Sequence, residues 1–289
     1  MTEHRRDWPL VETDWLAAHL EDPAVRIVDV RGSIRPSDAP KPWYAPKRDA
    51  YLAGHIPGAV YLDWLTDLLD TAAPIKMTVA RPDTFAGVMG RFGIGDGHTV
   101  VAYDDNAHIA PRLWWVLNYY GHPAVKVLNG GFPKWVAEGR PVTTALPAHP
   151  PAAFTVRVRP EWRVSSKEVL EALGDPTVQL VDCRSAREYR GEIGRGNRKG
   201  RIPGALNVPA NTLVEGEHKT FKDPAALRTL YEAAGVAPDR KIITYCNAGV
   251  SASVGLLALT LAGFPNATNF AGSWYEWEDD LENPIQVGP

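Results

Sequence analysis

Cysteine is nearly absent: only Cys183 and Cys246 occur in a chain of 289 residues. Two cysteines cannot build a disulfide framework, so reduced thiols are expected. Metal-ligand spacings are missing as well. The eight histidines are scattered, and neither a Cys-x-x-Cys nor a His-x-x-x-His pair occurs. No GxGxxG or Walker loop is present, so the familiar phosphate cradles are excluded, and no cofactor or metal is expected. A large surplus of either charge is also lacking. The formal net charge of −3 argues against nucleic acid or an anionic membrane as a partner. No apolar run approaches the roughly eighteen residues of a spanning helix. The opening stretch, Met1 to Trp8, has no apolar core of the signal-peptide kind, so the cytoplasm is the expected location.

What remains is an ordinary globular composition, 45% hydrophobic and 22% charged, in a chain longer than a usual single domain. Internal repetition explains the length. Val25 to Arg31 corresponds to Val178 to Arg184, and His55-Ile56-Pro57-Gly58-Ala59 to Arg201-Ile202-Pro203-Gly204-Ala205. Gly95 to Asp104 corresponds to Ala237 to Cys246, and Gly130-Gly131-Phe132 to Gly272-Ser273-Trp274. Four blocks in one order mean a duplicated domain. Each half alternates β and α signals, which predicts an α/β fold with a mainly parallel sheet and helices on both faces. Ser165 and Glu168 have capping-box spacing at the start of a helix, and Pro224 to Ala234 reads as another. The proline-rich stretch around Leu146 to Ala153 reads as a semi-rigid linker. The expected division is residues 1–146, a linker at 147–160, and residues 161–289. Trp114, Trp115, Trp135, Trp274 and Trp277 are expected in the interior.

The chemistry is expected at Lys241-Ile242-Ile243-Thr244-Tyr245-Cys246. There an apolar β-branched run stops at a cysteine, and the small residues Asn247, Ala248, Gly249, Val250 and Ser251 follow. An apolar helix is then predicted over 254–261, with Ser251 and Ser253 as candidate caps or, as the alternative, hydrogen-bond partners of the sulfur. Strand, short loop and helix in that order place Cys246 at the carboxyl edge of the sheet, where open α/β folds bind ligands. Backbone N–H groups around the sulfur would favour its anion. In the first half Asp104 stands at the position of Cys246, and the loop after it includes Pro111, which lacks an N–H. The second half is therefore expected to be the active one. Cys183 reads as a packing residue in its strand.

With both halves considered, the chain resembles the tandem rhodanese-type sulfurtransferases. The likeness rests on Asp182-Cys183-Arg184, Arg201-Ile202-Pro203-Gly204-Ala205, Cys246 to Ser251, and Gly272-Ser273-Trp274. The resemblance implies two tandem rhodanese-like domains, the first non-catalytic and the second catalytic. It also implies that Cys246 takes sulfane sulfur as a persulfide from thiosulfate or 3-mercaptopyruvate. That sulfur would then pass to cyanide or a thiol. Cysteine phosphatases, the competing class, need an arginine six residues after the cysteine, and here that residue is Ala252. A non-catalytic sulfur-relay or protein-binding module is the alternative. Thiosulfate enzymes of the family tend to carry cations just after the cysteine, and mercaptopyruvate enzymes a small uncharged loop. This loop resembles the second kind, except that Ala248 stands where that kind has a serine thought to assist proton transfer. Cations for a small anionic donor are therefore sought outside the loop, in Arg184 to Arg190 and Arg195 to Arg201, with Arg187 and Arg198 as candidate substrate-binding residues.

Overall fold

The structure, a computed structural model, describes residues 8–289. The expectations for the opening stretch through Asp7, including the start of the 1–146 unit, lie outside the described residues.

Two five-stranded parallel sheets form, each from β-branched runs that the chain buries on both faces. The first comprises β1 (Leu10–Val11), β2 (Val25–Asp29), β3 (Val60–Tyr61), β4 (Thr99–Tyr103) and β5 (Val125–Leu128), in the order β1-β5-β4-β2-β3. The second comprises β6 (Arg163–Val164), β7 (Val178–Asp182), β8 (Leu206–Asn207), β9 (Lys241–Tyr245) and β10 (Ala267–Phe270), in the order β6-β10-β9-β7-β8. Numbered within its own half, each sheet has the same strand order. The duplication legible in four short blocks is thus a duplication of topology, and helices flank both sheets.

The expected helix starts are largely met. Ser165 and Glu168 form a reciprocal capping box on Ser166–Glu171, and Asp223 caps Pro224–Ala233. The 147–159 stretch contains no helix. It runs along the first half, where Ala152, Arg157 and Arg159 donate backbone N–H bonds to the carbonyls of Gly90, Tyr120 and Tyr119. All five tryptophans expected inside are buried.

The helix after the fourth strand of each half positions the site. Ile109–Tyr119 follows β4, Val250–Leu261 follows β9, and the two pack directly against each other. Val250–Leu261 is apolar on nearly every side and buried for most of its length, as a helix between two layers must be. Leu113 and Trp114 join Leu256 and Leu257 in one continuous core. The loop at the head of each helix is therefore held beside the other half. Among the described residues no helix is long and apolar enough to cross a membrane.

Candidate functional site

Cys246 stands one residue past β9 and is 3% exposed. Its N–H donates to Ser273 Oγ at 3.0 Å, and its carbonyl accepts from the Trp274 N–H at 2.9 Å. The next carbonyl, that of Asn247, accepts from Tyr275 N–H at 3.0 Å. The repeated Gly272-Ser273-Trp274 block thus clamps the backbone that carries the sulfur.

The loop then curls at Gly249, whose φ is +72°. A side chain there would place a Cβ 2.5 Å from the carbonyl oxygen of Ala271 and 2.6 Å from Arg112 Nη1, so only glycine fits. The helix begins at Val250, four residues earlier than the apolar pattern predicts, and has no side-chain cap. The expected capping by Ser251 or Ser253 does not occur, because both lie inside the helix. Ser253 Oγ instead donates to the Gly249 carbonyl at 2.8 Å, and Asn269 Nδ2 and Arg112 Nη1 donate to the same oxygen. With the carbonyl held on that side, the planar peptide turns the Val250 N–H the opposite way. Val250, Ser251 and Ala252 sit in a first turn, where N–H groups have no intrahelical partner.

The first half shows what such a curl can hold. The Asp104 carboxylate accepts backbone N–H bonds from Asn106 at 3.2 Å, Ala107 at 2.8 Å, His108 at 2.9 Å, Ile109 at 2.6 Å and Ala110 at 2.9 Å. Ala107 has φ +63°, matching Gly249, and the Phe132 N–H donates to the Asp104 carbonyl as Trp274 does to that of Cys246. Pro111, expected to spoil this loop, lies beyond the five donors and takes nothing from it. The two loops therefore share one backbone curl and differ in the side chain at its origin.

At the loop that follows Cys246 a cleft of about 380 Å³ is lined from both halves, by Ser37 and His108 of the first and by Arg187, Arg195, Asn247 and Ser251 of the second. Arg187 is half-exposed and paired with Asp38 at 2.7 Å. Arg195 donates to Ser37 Oγ at 3.0 Å and lies over the Tyr44 ring at 4.7 Å. Arg198, named with Arg187 from the charge run, is placed elsewhere. Its guanidinium donates to the carbonyls of Asp280 and Asn283, both at 2.8 Å, and braces the C-terminal segment. Arg195, in the same run, reaches the cleft because its side chain lies across the aromatic residues of the first half.

Glu188 also lines the cleft. Its Oε1 accepts from Ser37 Oγ at 2.6 Å and Asn247 Nδ2 at 2.8 Å, and its Oε2 accepts from Ser185 Oγ at 2.8 Å. Burial alone would raise its pKa. The donors on Ser37, Asn247 and Ser185, with the nearby charge of Arg184, outweigh burial and hold it below the usual value. Arg184 itself is fully engaged with Asp182 at 2.6 Å, as Arg31 is with Asp29 at 2.8 Å, so these repeated pairs are structural in both halves.

Arg112 reaches the site from the helix of the first half. It is 2% exposed, donates to Gly249 O at 3.2 Å and Met77 O at 3.3 Å, and lies over Trp115 at 4.6 Å. Burial pulls its pKa down to about 10, and charge on Cys246 acts in the opposite sense. Cys183 is buried against Gly255, and burial pushes its thiol well above the ordinary value. Neither Arg112 nor His108 stands out in the sequence, because each is brought to the loop after Cys246 only by the packing of the two halves.

A rhodanese-like domain is matched twice along the chain, at residues 12–138 and 165–280. The sulfur carrier protein TtuD of Thermus thermophilus is 38% identical, the alignment covering 96% of each chain. The 3-mercaptopyruvate sulfurtransferase of Escherichia coli K12 is 36% identical, covering 96% of this chain and 97% of that one. Its fold is shared too: the crystal structure of SseA from E. coli superposes with a TM-score of 0.82 at 35% identity, over 92% of this chain and 98% of that one. The thiosulfate sulfurtransferase of Bos taurus is 36% identical over 93% of this chain and 91% of its own.

Proposed function

The chain belongs to the rhodanese-like family, as a tandem-domain sulfurtransferase, and from that premise we propose that Cys246 is the residue that carries the sulfur. Its thiolate attacks the transferable sulfur of a donor, the outer sulfur of thiosulfate or the thiol sulfur of 3-mercaptopyruvate. The new S–S bond leaves a persulfide on Cys246, and sulfite or pyruvate departs. A cyanide or thiol acceptor then attacks the outer sulfur and restores the thiolate.

The observation that carries this proposal is the Asp104 carboxylate wrapped by five N–H groups in the silent half. The terminal oxygen of an aspartate and the outer sulfur of a cysteine persulfide are each two bonds beyond Cβ. In the curl Asn247 to Ser251, continued by Ala252, the same donors meet the persulfide anion without a dedicated cation. Arg187 and Arg195 attract the donor's negative charge. Arg198, held by carbonyls, takes no part. The cradle has no formal charge, which favours 3-mercaptopyruvate modestly over doubly charged thiosulfate. A reducing compartment such as the cytoplasm keeps the thiol available.

The Thermus relative is a sulfur carrier protein, which fits a second reading, in which the chain relays sulfur and turns over small molecules little. Thiocyanate formation from either donor and cyanide tests the main proposal. Cys246→Ser abolishes it and Cys183→Ser retains most of it. Equal losses in two folded variants would refute a single carrier.

A further inference from the structure

We propose that His108, supplied by the half that lacks a nucleophile, shuttles the proton when the donor is a thiol. This rests on 3-mercaptopyruvate being a donor. Transfer from it is HS–CH2–CO–CO2− plus Cys246–S− giving Cys246–S–S− plus CH3–CO–CO2−. The C–S bond breaks, the S–S bond forms, and the electron pair passes to an enolate. One proton must travel from sulfur to carbon. Thiosulfate requires no such step, since Cys246–S− and S–SO3 2− give the persulfide anion and sulfite directly.

The cleft contains few groups that can do this. Ala248 offers no hydroxyl beside the cysteine, and the hydroxyls of Ser37, Ser185 and Ser251 that line the cleft are too weakly basic to hold a proton at neutral pH. The arginines do not release protons. Glu188 already accepts from Ser37, Asn247 and Ser185, which makes its carboxylate a poor base. Asp38 is tied to Arg187, and Cys183 is a buried thiol held protonated. His108 remains. It lines the same cleft as Asn247 and Ser251. Its Nδ1 lies 2.8 Å from the Asn106 carbonyl, an acceptor only, so Nδ1 carries the hydrogen and Nε2 has the free lone pair. Among the described residues Nε2 has no hydrogen-bond partner. The ring is half-buried. Burial lowers its pKa, the Asn106 bond and Asp104 act the other way, and Lys219 and Arg195 lower it further. The ring is thus neutral at pH 7, able to take the thiol proton on Nε2 and return it to the enolate carbon.

The helix packing explains how a silent half comes to supply it. Ile109–Tyr119 and Val250–Leu261 abut, and His108 at the head of the first lines one cleft with Asn247 and Ser251 at the head of the second. The test compares wild type with His108→Gln and His108→Asn, using both donors. Turnover with 3-mercaptopyruvate should fall by roughly a hundredfold or more, the usual worth of a general acid–base group. Turnover with thiosulfate should change far less. The acidic limb of the mercaptopyruvate pH profile should disappear with the imidazole. Equal losses with both donors would make His108 a structural residue, and unchanged mercaptopyruvate turnover would also overturn the inference. A wild type inactive on 3-mercaptopyruvate would instead overturn the donor reading, and the inference with it.

Discussion

Arg112→Met isolates the contribution that the first half makes to the chemistry of the second. Arg112 is buried, and among the described residues no carboxylate pairs with it; it donates to the Gly249 carbonyl at 3.2 Å, and charge on Cys246 opposes the effect of burial on its guanidinium. Methionine nearly matches its length and packs between the same helices. Removing a buried charge in favour of an apolar side chain is often neutral or stabilising. The Gly249 carbonyl also keeps Ser253 and Asn269 as donors. Thermal stability should therefore change little. A hydrogen bond from a charged group contributes about 1.5–3 kcal/mol. If it is felt in the transition state as negative charge settles into the curl, kcat/KM falls roughly ten- to a hundredfold. Steady-state thiocyanate formation beside a melting curve measures both quantities. An unchanged kcat/KM would refute the electrostatic role. A large loss of stability would show that Arg112 serves packing alone.

Other perturbations separate the remaining residues. Arg187→Ala should raise KM for anionic donors more than it lowers kcat, because its charge binds ground and transition states alike; Arg198→Ala should leave KM unchanged and loosen the C-terminal segment, as limited proteolysis would report. Glu188 has a folded pKa below its unfolded value, so its stabilising contribution is complete above the unfolded value and is lost as pH falls through the folded one. Glu188→Gln should flatten the acid limb of a urea-unfolding stability profile, and an unaltered limb would remove Glu188 from the account. Wild type should show a modest kcat/KM advantage for 3-mercaptopyruvate, and Asn247→Arg with Ala248→Lys should shift the ratio toward thiosulfate. A wild type already favouring thiosulfate by about tenfold, some 1.4 kcal/mol, would mean that loop charge does not select the donor.

The parts legible in the sequence are those fixed by contacts close along the chain. Four repeated blocks specify two sheets of identical strand order, because each block is a strand end or a tight turn with its own local chemistry. The Ser165–Glu168 box is read correctly for the same reason. The start of the helix after Cys246 is misplaced because Gly249 enters the helix directly from φ +72°, with no capping side chain to mark the boundary. Arg187 and Arg198 look equivalent in a basic run. What distinguishes them is a pair of distant carbonyls, at Asp280 and Asn283, that hold Arg198 away from the cleft. His108, Arg112 and Ser37 reach the site from the other half, and Glu188 meets Asn247 across a long stretch of its own half, so no local pattern announces them.

The central claim is that Cys246 carries the transferred sulfur in a curl of backbone N–H groups. Mass spectrometry of the intact protein after incubation with thiosulfate, followed by digestion, tests it most directly. The account predicts a gain of one sulfur atom, located on the peptide containing Cys246, removed by cyanide and absent from Cys246→Ser. A sulfur found on Cys183, or turnover without any sulfur-loaded protein, would contradict it.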